Sequence, residues 1–235
     1  MSTLASALRP APALDALPVI NLEELGDGEQ HTPAHSRLAR IAREIGFFYL
    51  EGHGIAPDQI ARLEAAARQF FALPPAAKQQ IAMAQTRHFR GYTGVGGEIT
   101  RLQPDLREQI DFGEELPAVP PGPDTPQWWG LQGPNQWPAA QPELQADILL
   151  WLDTTRAVAQ RLLKAFLIAL EQPASALNQL VAPPHNNRLK IIHYPGQASG
   201  QSDQGVGPHK DGGLLTLLLQ DQVGGLQVQT AQGWL

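Results

Sequence analysis

A histidine and an aspartate one residue apart form the sequence feature best suited to chemistry. His209 and Asp211 lie in the segment GPHKDGG (207–213), which leads into the apolar run LLTLLL (214–219). In a β-strand, residues i and i+2 point to the same face, so both side chains can reach one ion. A neutral imidazole and a carboxylate are two of the three ligands in the facial set that holds non-haem Fe(II). A surface pair or a turn cap is the alternative, because an isolated H-x-D is common.

The facial set needs a second histidine, and the other histidines of the sequence are poor candidates. Only 24 residues follow Asp211 in the chain of 235, and none of them is His, Arg or Ser. His31 and His35 have helical spacing, but the proline between them favours a surface pair at a helix entry. His53 lies between two glycines and is interpreted as part of a structural turn. Two protein ligands alone make a weak, exchange-prone metal site.

Composition limits the kind of partner. The chain carries 17 Lys and Arg against 23 Asp and Glu, a formal net charge of −6, and no basic run stands out. We therefore expect a small molecule, and not a nucleic acid, as the main partner. The absence of cysteine excludes a disulfide framework, a thiolate metal site and a cysteine nucleophile, and it suits a cytoplasmic location. Nowhere do about 18 apolar residues run together, so no membrane span is expected.

Hydrophobic periodicity predicts mostly helices in the first part of the chain and strands towards its end. The predicted strands are 17–22, 47–50, 188–194, 213–220 and 226–229, and the predicted helices are 33–45, 58–73, 76–84 and 143–170. The stretch 87–138 between them is rich in Gly, Pro and Trp. A long loose stretch of this kind is often functional, and it could cover a site.

Seven ordered segments over nearly the whole chain resemble the isopenicillin N synthase-like family of Fe(II)/2-oxoglutarate-dependent oxygenases. They are LPVINL (17–22), EIGFFYL (44–50) with GHGI (52–55), FFALP (70–74), RGY (90–92), LKIIHYP (189–195), GVGPHKD (205–211), and LTLL (215–218) with QD (220–221) and GGLQV (224–228). Seven ordered segments are far more specific than H-x-D alone. The resemblance implies an α+β, mainly β fold: a double-stranded β-helix, or jelly roll, flanked by helices and incomplete at the C-terminus.

The resemblance also implies roles for individual residues. His209 and Asp211 match the family's first two iron ligands, and Tyr194 matches a tyrosine that contacts the 2-oxoglutarate carboxylate in many members. A packed strand aromatic is the alternative interpretation of Tyr194. Thr216 and Leu218 would line the pocket wall if their strand is regular. The implied cofactors are Fe(II) and 2-oxoglutarate, and the implied reaction is oxidation of a small organic molecule with O2.

The family completes its site with a second histidine and an Arg-x-Ser motif, and neither follows Asp211. The sequence therefore predicts a chain truncated within its jelly roll. The predicted divisions are an N-terminal α/β region at 1–115, a Pro/Gly/Trp-rich connection at 116–140, and the long helix with the first part of the jelly roll at 141–235. Two alternatives stay open: a non-catalytic binding module derived from the family, and a site shared between two chains, with the last residues buried in the interface.

Overall fold

The computed structural model of the chain describes residues 16–28, 30–196, 204–231 and 233–235. The chain divides into two compact units. Unit 1 comprises Met1–Gly54, Val158–Leu180 and Leu217–Leu235, and unit 2 comprises Ile55–Ala157 and Val181–Thr216. The three residues predicted to bind a metal or a co-substrate, at positions 194, 209 and 211, all belong to unit 2.

Unit 1 begins with the predicted order of strand, helix and strand. Strand β1 (Val19–Asn21) pairs in parallel with strand β2 (Tyr49–Glu51). Parallel strands need a crossover connection, which here contains the short helix α1 (Leu22–Leu25) and the helix α2 (Pro33–Glu44). The predictions for this part of the chain are confirmed to within three residues at each boundary.

His35 lies in the first turn of α2 and is buried, so its interpretation as one of a surface pair is wrong. The backbone N–H of Thr32 donates to Nδ1 of His35 (3.2 Å), and the Thr32 hydroxyl lies 2.8 Å from the same atom. His35 therefore satisfies a backbone donor that would otherwise lack a partner at the start of the helix. Burial and the neighbouring His31 lower the pKa of His35, which favours the neutral form that can accept these bonds.

Unit 2 packs helices against one face of a sheet. Helix α3 (Pro57–Phe71), the short helix α4 (Pro75–Gln79) and the part of α5 (Leu144–Ala169) up to residue 157 belong to this unit. The buried core they share with the sheet consists of Leu63, Ala66, Phe70, Ile81, Tyr92, Ile110, Phe112, Leu144, Ile148, Trp151 and Leu152. The long helix is confirmed, whereas the helix predicted at 76–84 ends earlier. No helix in the described part of the chain is long and apolar enough to span a membrane.

The sheet of unit 2 has strand β6 (Glu108–Gly113) at its centre. Strand β3 (Gly91–Thr93) lies on one side of β6 and strand β7 (Arg188–His193) on the other, and both pairings are antiparallel. Strands β4 (Ile99–Thr100) and β5 (Gln103–Pro104) form a separate hairpin. The central strand therefore lies within the stretch that the sequence predicted to be loose.

β6 escapes prediction because half of its residues are polar although all six are buried. Ile110 and Phe112 belong to the core, and the alternation of a strand places Gln109 and Asp111 on the opposite face. A buried polar side chain needs partners, and some of them, such as Lys78 for Glu108 and Lys190 for Asp111, lie far away in the sequence. A pattern based on local hydrophobicity does not register them.

The two strands predicted after the H-x-D segment are mostly absent. Residues 213–220 contain no strand, and from the run 226–229 only the last residue enters one, β8 (Gln229–Thr230), which pairs with β9 (Gly233–Trp234). A strand needs a neighbour for its backbone N–H and C=O groups. No strand of the described residues pairs with 213–220, so this apolar run forms no ladder.

One buried ion pair stabilises the sheet. Lys78 Nζ lies 2.7 Å from Glu108 Oε2, and both side chains are 8% exposed. The Tyr92 hydroxyl and Nδ1 of His193 also donate to this carboxylate, at 2.6 and 2.8 Å. Burial opposes ionisation of Glu108, but the hydrogen bonds from Lys78, Tyr92 and His193 outweigh it and lower the pKa. Three donors from separate elements thus compensate the buried charge of Glu108.

We expect Glu108→Gln to lower the free energy of unfolding by about 3 kcal/mol, because it leaves Lys78 charged and buried without its counter-ion. Glu64→Gln is the matched control. It breaks the more exposed pair with Arg68 (3.4 Å) and should cost about 0.5 kcal/mol or less. Chemical denaturation of both variants at neutral pH measures the difference, and equal losses would show that the buried pair contributes no more than a surface one.

Candidate functional site

His209 and Asp211 lie outside any strand, yet their side chains converge as the sequence predicts. Nε2 of His209 is 3.3 Å from Oδ1 of Asp211, and both side chains are about half exposed. Nδ1 of His209 lies 2.9 Å from the carbonyl oxygen of Gly207. Because a carbonyl oxygen only accepts hydrogen bonds, Nδ1 carries the proton. In the neutral imidazole, Nε2 therefore presents its lone pair beside the Asp211 carboxylate.

This arrangement fits a divalent metal ion. A lone pair and a carboxylate oxygen 3.3 Å apart repel each other unless a proton or a cation lies between them. Two ligand atoms about 2.1 Å from one ion and at right angles are about 3 Å from each other. A backbone carbonyl that holds the second ring nitrogen is a usual partner of a metal-binding histidine. Among the residues that the structure describes, no group of three His, Asp or Glu could hold an ion, so the pair supplies two ligands.

Tyr194 directly follows β7, at the edge of the sheet. The register that pairs Glu108 with His193 places Arg107 beside Tyr194, where the guanidinium can interact with the phenol. Since arginine only donates, the proton of the hydroxyl remains available to an anion. The tyrosine ring packs on Gly205, where an added Cβ would lie 2.9 Å from the ring. Tyr194 is thus held on one side and half exposed on the other.

The segment that carries Gly205 is fastened to residues 105 and 106. The backbone N–H of Leu106 donates to the carbonyl of Gln204 (3.1 Å). Oδ1 of Asp105 accepts from the side chain of Gln204 (3.2 Å) and from the backbone N–H of Gly207 (3.3 Å). These bonds connect the start of β6 to the residues just before His209.

Charged side chains lie together on the face of the sheet opposite the core. Glu98 accepts hydrogen bonds from Arg107 (2.7 Å), Gln109 (2.8 Å) and Lys190 (3.2 Å). Burial opposes the charge of Glu98, but Lys190 and Arg107 lower its pKa overall. Lys190 is farther from Asp111, at 3.6 Å. Burial therefore dominates there and raises the pKa of Asp111 to about 6.

The sequence predicted that His209 and Asp211, the candidate metal pair, lie close together, whereas their role as metal ligands stays a prediction. Thr216 and Leu218 cannot line a pocket by strand alternation, because their segment is not a strand, and Leu218 is largely exposed. Asp105 and Arg107 were missed. The alternation of polar residues with Ile110 and Phe112 is the signal that could have placed them at the start of a half-polar strand.

Two family models match the chain. Residues 17–140 match the family described as the N-terminal region of the non-haem dioxygenase in morphine synthesis, and residues 185–235 match the 2OG-Fe(II) oxygenase superfamily. The 2-oxoglutarate-dependent dioxygenase frbJ of Dothideomycetidae sp. is 35% identical over 234 residues, which cover 94% of this chain and 60% of frbJ. A probable iron/ascorbate oxidoreductase of Dictyostelium discoideum is 32% identical over 254 residues, with 94% and 68% of the two chains covered.

Solved structures show the same similarity. A full-length Neurospora crassa protein crystallised in complex with alpha-ketoglutarate matches with a TM-score of 0.74 and 26% identity, over 93% of this chain and 68% of that one. A 2OG-Fe(II) oxygenase family protein from Caulobacter crescentus, described as putative in its structure, matches with a TM-score of 0.73 and 25% identity, over 94% and 69%.

The chain belongs to the 2OG-Fe(II) oxygenase superfamily. Its fold class is the double-stranded β-helix flanked by helices, which confirms the expectation from sequence. The family uses Fe(II) and 2-oxoglutarate, as predicted. The chain spans about three-fifths of the length of frbJ. The division into residues 1–115, 116–140 and 141–235 stays a prediction.

We expect Asp111→Asn to stabilise the protein at neutral pH by up to about 3 kcal/mol. The pKa of Asp111 rises from 3.8 to about 6 on folding, so its favourable contribution is complete below pH 3.8 and lost as the pH rises through about 6. An asparagine mimics the protonated form at every pH. The gain in unfolding free energy should therefore be small at pH 4 and full at pH 7.5.

Chemical denaturation at the two pH values measures this gain. The exposed Asp124→Asn is the control, and its effect should not change with pH. A stabilisation by Asp111→Asn that is equal at both pH values would contradict a raised pKa.

Proposed function

We propose that this chain belongs to an enzyme that uses Fe(II), 2-oxoglutarate and O2 to oxidise a small organic molecule. The observation that carries the proposal is the convergence of His209 Nε2 and Asp211 Oδ1, 3.3 Å apart, in a member of this superfamily. His209 and Asp211 would hold the metal. When bound, Fe(II) supplies the redox chemistry that couples consumption of 2-oxoglutarate and O2 to oxidation of a C–H bond.

Backbone and side-chain groups of the protein would position the reactants. Gly207 holds the Nδ1 proton of His209, so that Nε2 is free to bind the metal. Tyr194 would donate its hydroxyl proton to a carboxylate of 2-oxoglutarate, since the neighbouring Arg107 can donate a hydrogen bond to the phenol but cannot accept one. Both groups belong to unit 2, and the segment around Gly205 contacts the tyrosine while it leads to the metal pair.

The relatives act on different molecules, and their names suggest only a broad substrate class. A homoarginine-6-hydroxylase of Arabidopsis thaliana is 33% identical over 189 residues, which cover 79% of this chain and 56% of that protein. Since one fold serves several substrates, we extend the proposal no further than a small organic metabolite. We also propose a cytoplasmic location, which the absence of cysteine supports.

The metal site can be tested by titrating the metal-free chain with Fe(II) without oxygen, using calorimetry. We expect one Fe(II) per chain and at least a tenfold loss of affinity in Asp211→Asn, because the amide cannot supply a negative charge. Asp124→Asn should bind like the wild type.

In air with 2-oxoglutarate, the wild-type chain should form succinate only when Fe(II) is present. Fe(II) binding without succinate would favour the non-catalytic binding module, and unchanged affinity in Asp211→Asn would place the metal elsewhere.

The role of Tyr194 predicts a separate effect. Tyr194→Phe removes the hydroxyl and should raise the KM for 2-oxoglutarate about tenfold, which is the value of one hydrogen bond to a charged group. Fe(II) affinity should stay the same. Tyr49→Phe, on an exposed tyrosine of β2, is the matched control and should leave the KM unchanged. Equal KM values in wild type and Tyr194→Phe would support the interpretation of Tyr194 as a packed strand aromatic.

A further inference from the structure

We propose that Asp105 is a positioning residue that orients the imidazole of His209 through the backbone of Gly207. The metal part of this inference rests on the proposed function, whereas the orientation of the imidazole can be measured without metal. Asp105 is not among the predicted site residues and does not contact the metal pair. Its carboxylate is nevertheless completely buried, and a buried charge needs compensation.

Both oxygens of the Asp105 carboxylate are engaged. Oδ1 accepts hydrogen bonds from Gln204 Nε2 at 3.2 Å and from the Gly207 N–H at 3.3 Å. Oδ2 accepts from the Thr100 hydroxyl at 2.8 Å and lies 3.4 Å from the Arg107 guanidinium. Partners on both oxygens leave the carboxylate a single orientation. Asp105 therefore fixes the residues that precede His209 relative to the start of β6.

Gly207 transmits this constraint to the imidazole. Its N–H donates to Asp105, and its carbonyl accepts from Nδ1 of His209 at 2.9 Å. Gly207 is buried, and an added Cβ would lie 2.7 Å from Cγ2 of Thr100. The close approach to Thr100 is thus possible only without a side chain. Gly207 is thus held in place through its N–H and orients His209 through its carbonyl.

The hydrogen bond to Gly207 decides which nitrogen of His209 carries the proton. With the proton on Nδ1, the lone pair of Nε2 faces Asp211, 3.3 Å away. If Gly207 moves, the proton can transfer to Nε2, where the Asp211 carboxylate accepts it. The second tautomer blocks the nitrogen that would bind the metal. Asp105 thus favours the metal-binding tautomer indirectly: it accepts a hydrogen bond from the Gly207 N–H, and the Gly207 carbonyl accepts one from His209.

The tautomer can be measured by two-bond ¹H–¹⁵N correlation spectra of the metal-free, ¹⁵N-labelled chain at about pH 8, well above the reference pKa of a histidine side chain in a peptide. The His209 signals are assigned by their loss in His209→Asn. We expect Nδ1–H in the wild type and a shift towards Nε2–H in Asp105→Asn. The asparagine side chain has the same shape as that of aspartate. Both oxygens of Asp105 accept hydrogen bonds, so the NH2 group of the asparagine must face donors at one of these two positions. A wild-type tautomer in folded Asp105→Asn overturns the proposal.

The controls separate positioning from stability. Asp124→Asn changes an exposed aspartate and should leave the His209 signals unchanged. Ile148→Val weakens the core of unit 2 and should also leave the His209 tautomer unchanged. If Asp105 acted only through stability, Ile148→Val and Asp105→Asn would have the same effect on the tautomer. If Asp105→Asn does not fold, Thr100→Val replaces it. That change removes one bond to the carboxylate, keeps the methyl group against Gly207, and should shift the tautomer in the same direction.

Titration with Co(II) then tests the metal part. We expect Asp105→Asn to bind Co(II) about tenfold more weakly than the wild type, as for other residues that orient a metal ligand. Equal affinities overturn the positioning proposal and leave the proposed function intact. A wild-type chain that shows the Nδ1–H tautomer but binds no Co(II) contradicts the proposed function, while the effect of Asp105 on the imidazole stands.

Discussion

The burial of negative charge along one strand is the constraint on which the rest of unit 2 depends. Asp105, Glu108 and Asp111 lie at or just before β6, and each is less than 10% exposed. A charge in such a position is tolerated only where hydrogen bonds or a cation compensate it. Lys78 reaches Glu108 from α4, and Lys190 approaches Asp111 from β7. The partners come from separate elements, so satisfying these carboxylates also fixes which elements surround the central strand.

The register between β6 and β7 also positions residues of the candidate site. Pairing β6 with β7 brings Arg107 beside Tyr194. The segment before His209 attaches to Asp105 and packs under the tyrosine ring through Gly205. No strand is needed at residues 208–211 for the metal pair to converge. Hydrogen bonds from residues 105 and 106, just before β6, hold that segment in place of a ladder, so an irregular segment can keep the two candidate ligand atoms at a defined spacing.

The sequence predicted the elements whose pattern lies in neighbouring residues, and it missed those that depend on contacts with distant residues. The periodicity of α5 and the order of β1, α2 and β2 follow from residues that are close in the chain, and these elements were found. β6 was missed because its buried polar residues depend partly on distant partners: Lys78 is 30 positions and His193 is 85 positions from Glu108. The proximity of His209 and Asp211 could be predicted because the H-x-D spacing is itself the signal, whereas metal binding by the pair stays a prediction. Alternation could have placed Asp105 near the start of β6, but only the tertiary structure reveals its contact with Gly207.

The central claim is that His209 and Asp211 bind Fe(II) through Nε2 and a carboxylate oxygen. A crystal of the chain grown with Fe(II) in the absence of oxygen, with diffraction data collected on both sides of the iron absorption edge, tests it most directly. The account predicts one anomalous peak at about 2.1 Å from His209 Nε2 and from an oxygen of Asp211, with Nδ1 still bonded to the Gly207 carbonyl. A peak on Nδ1, or one at a site that includes neither residue, would contradict it.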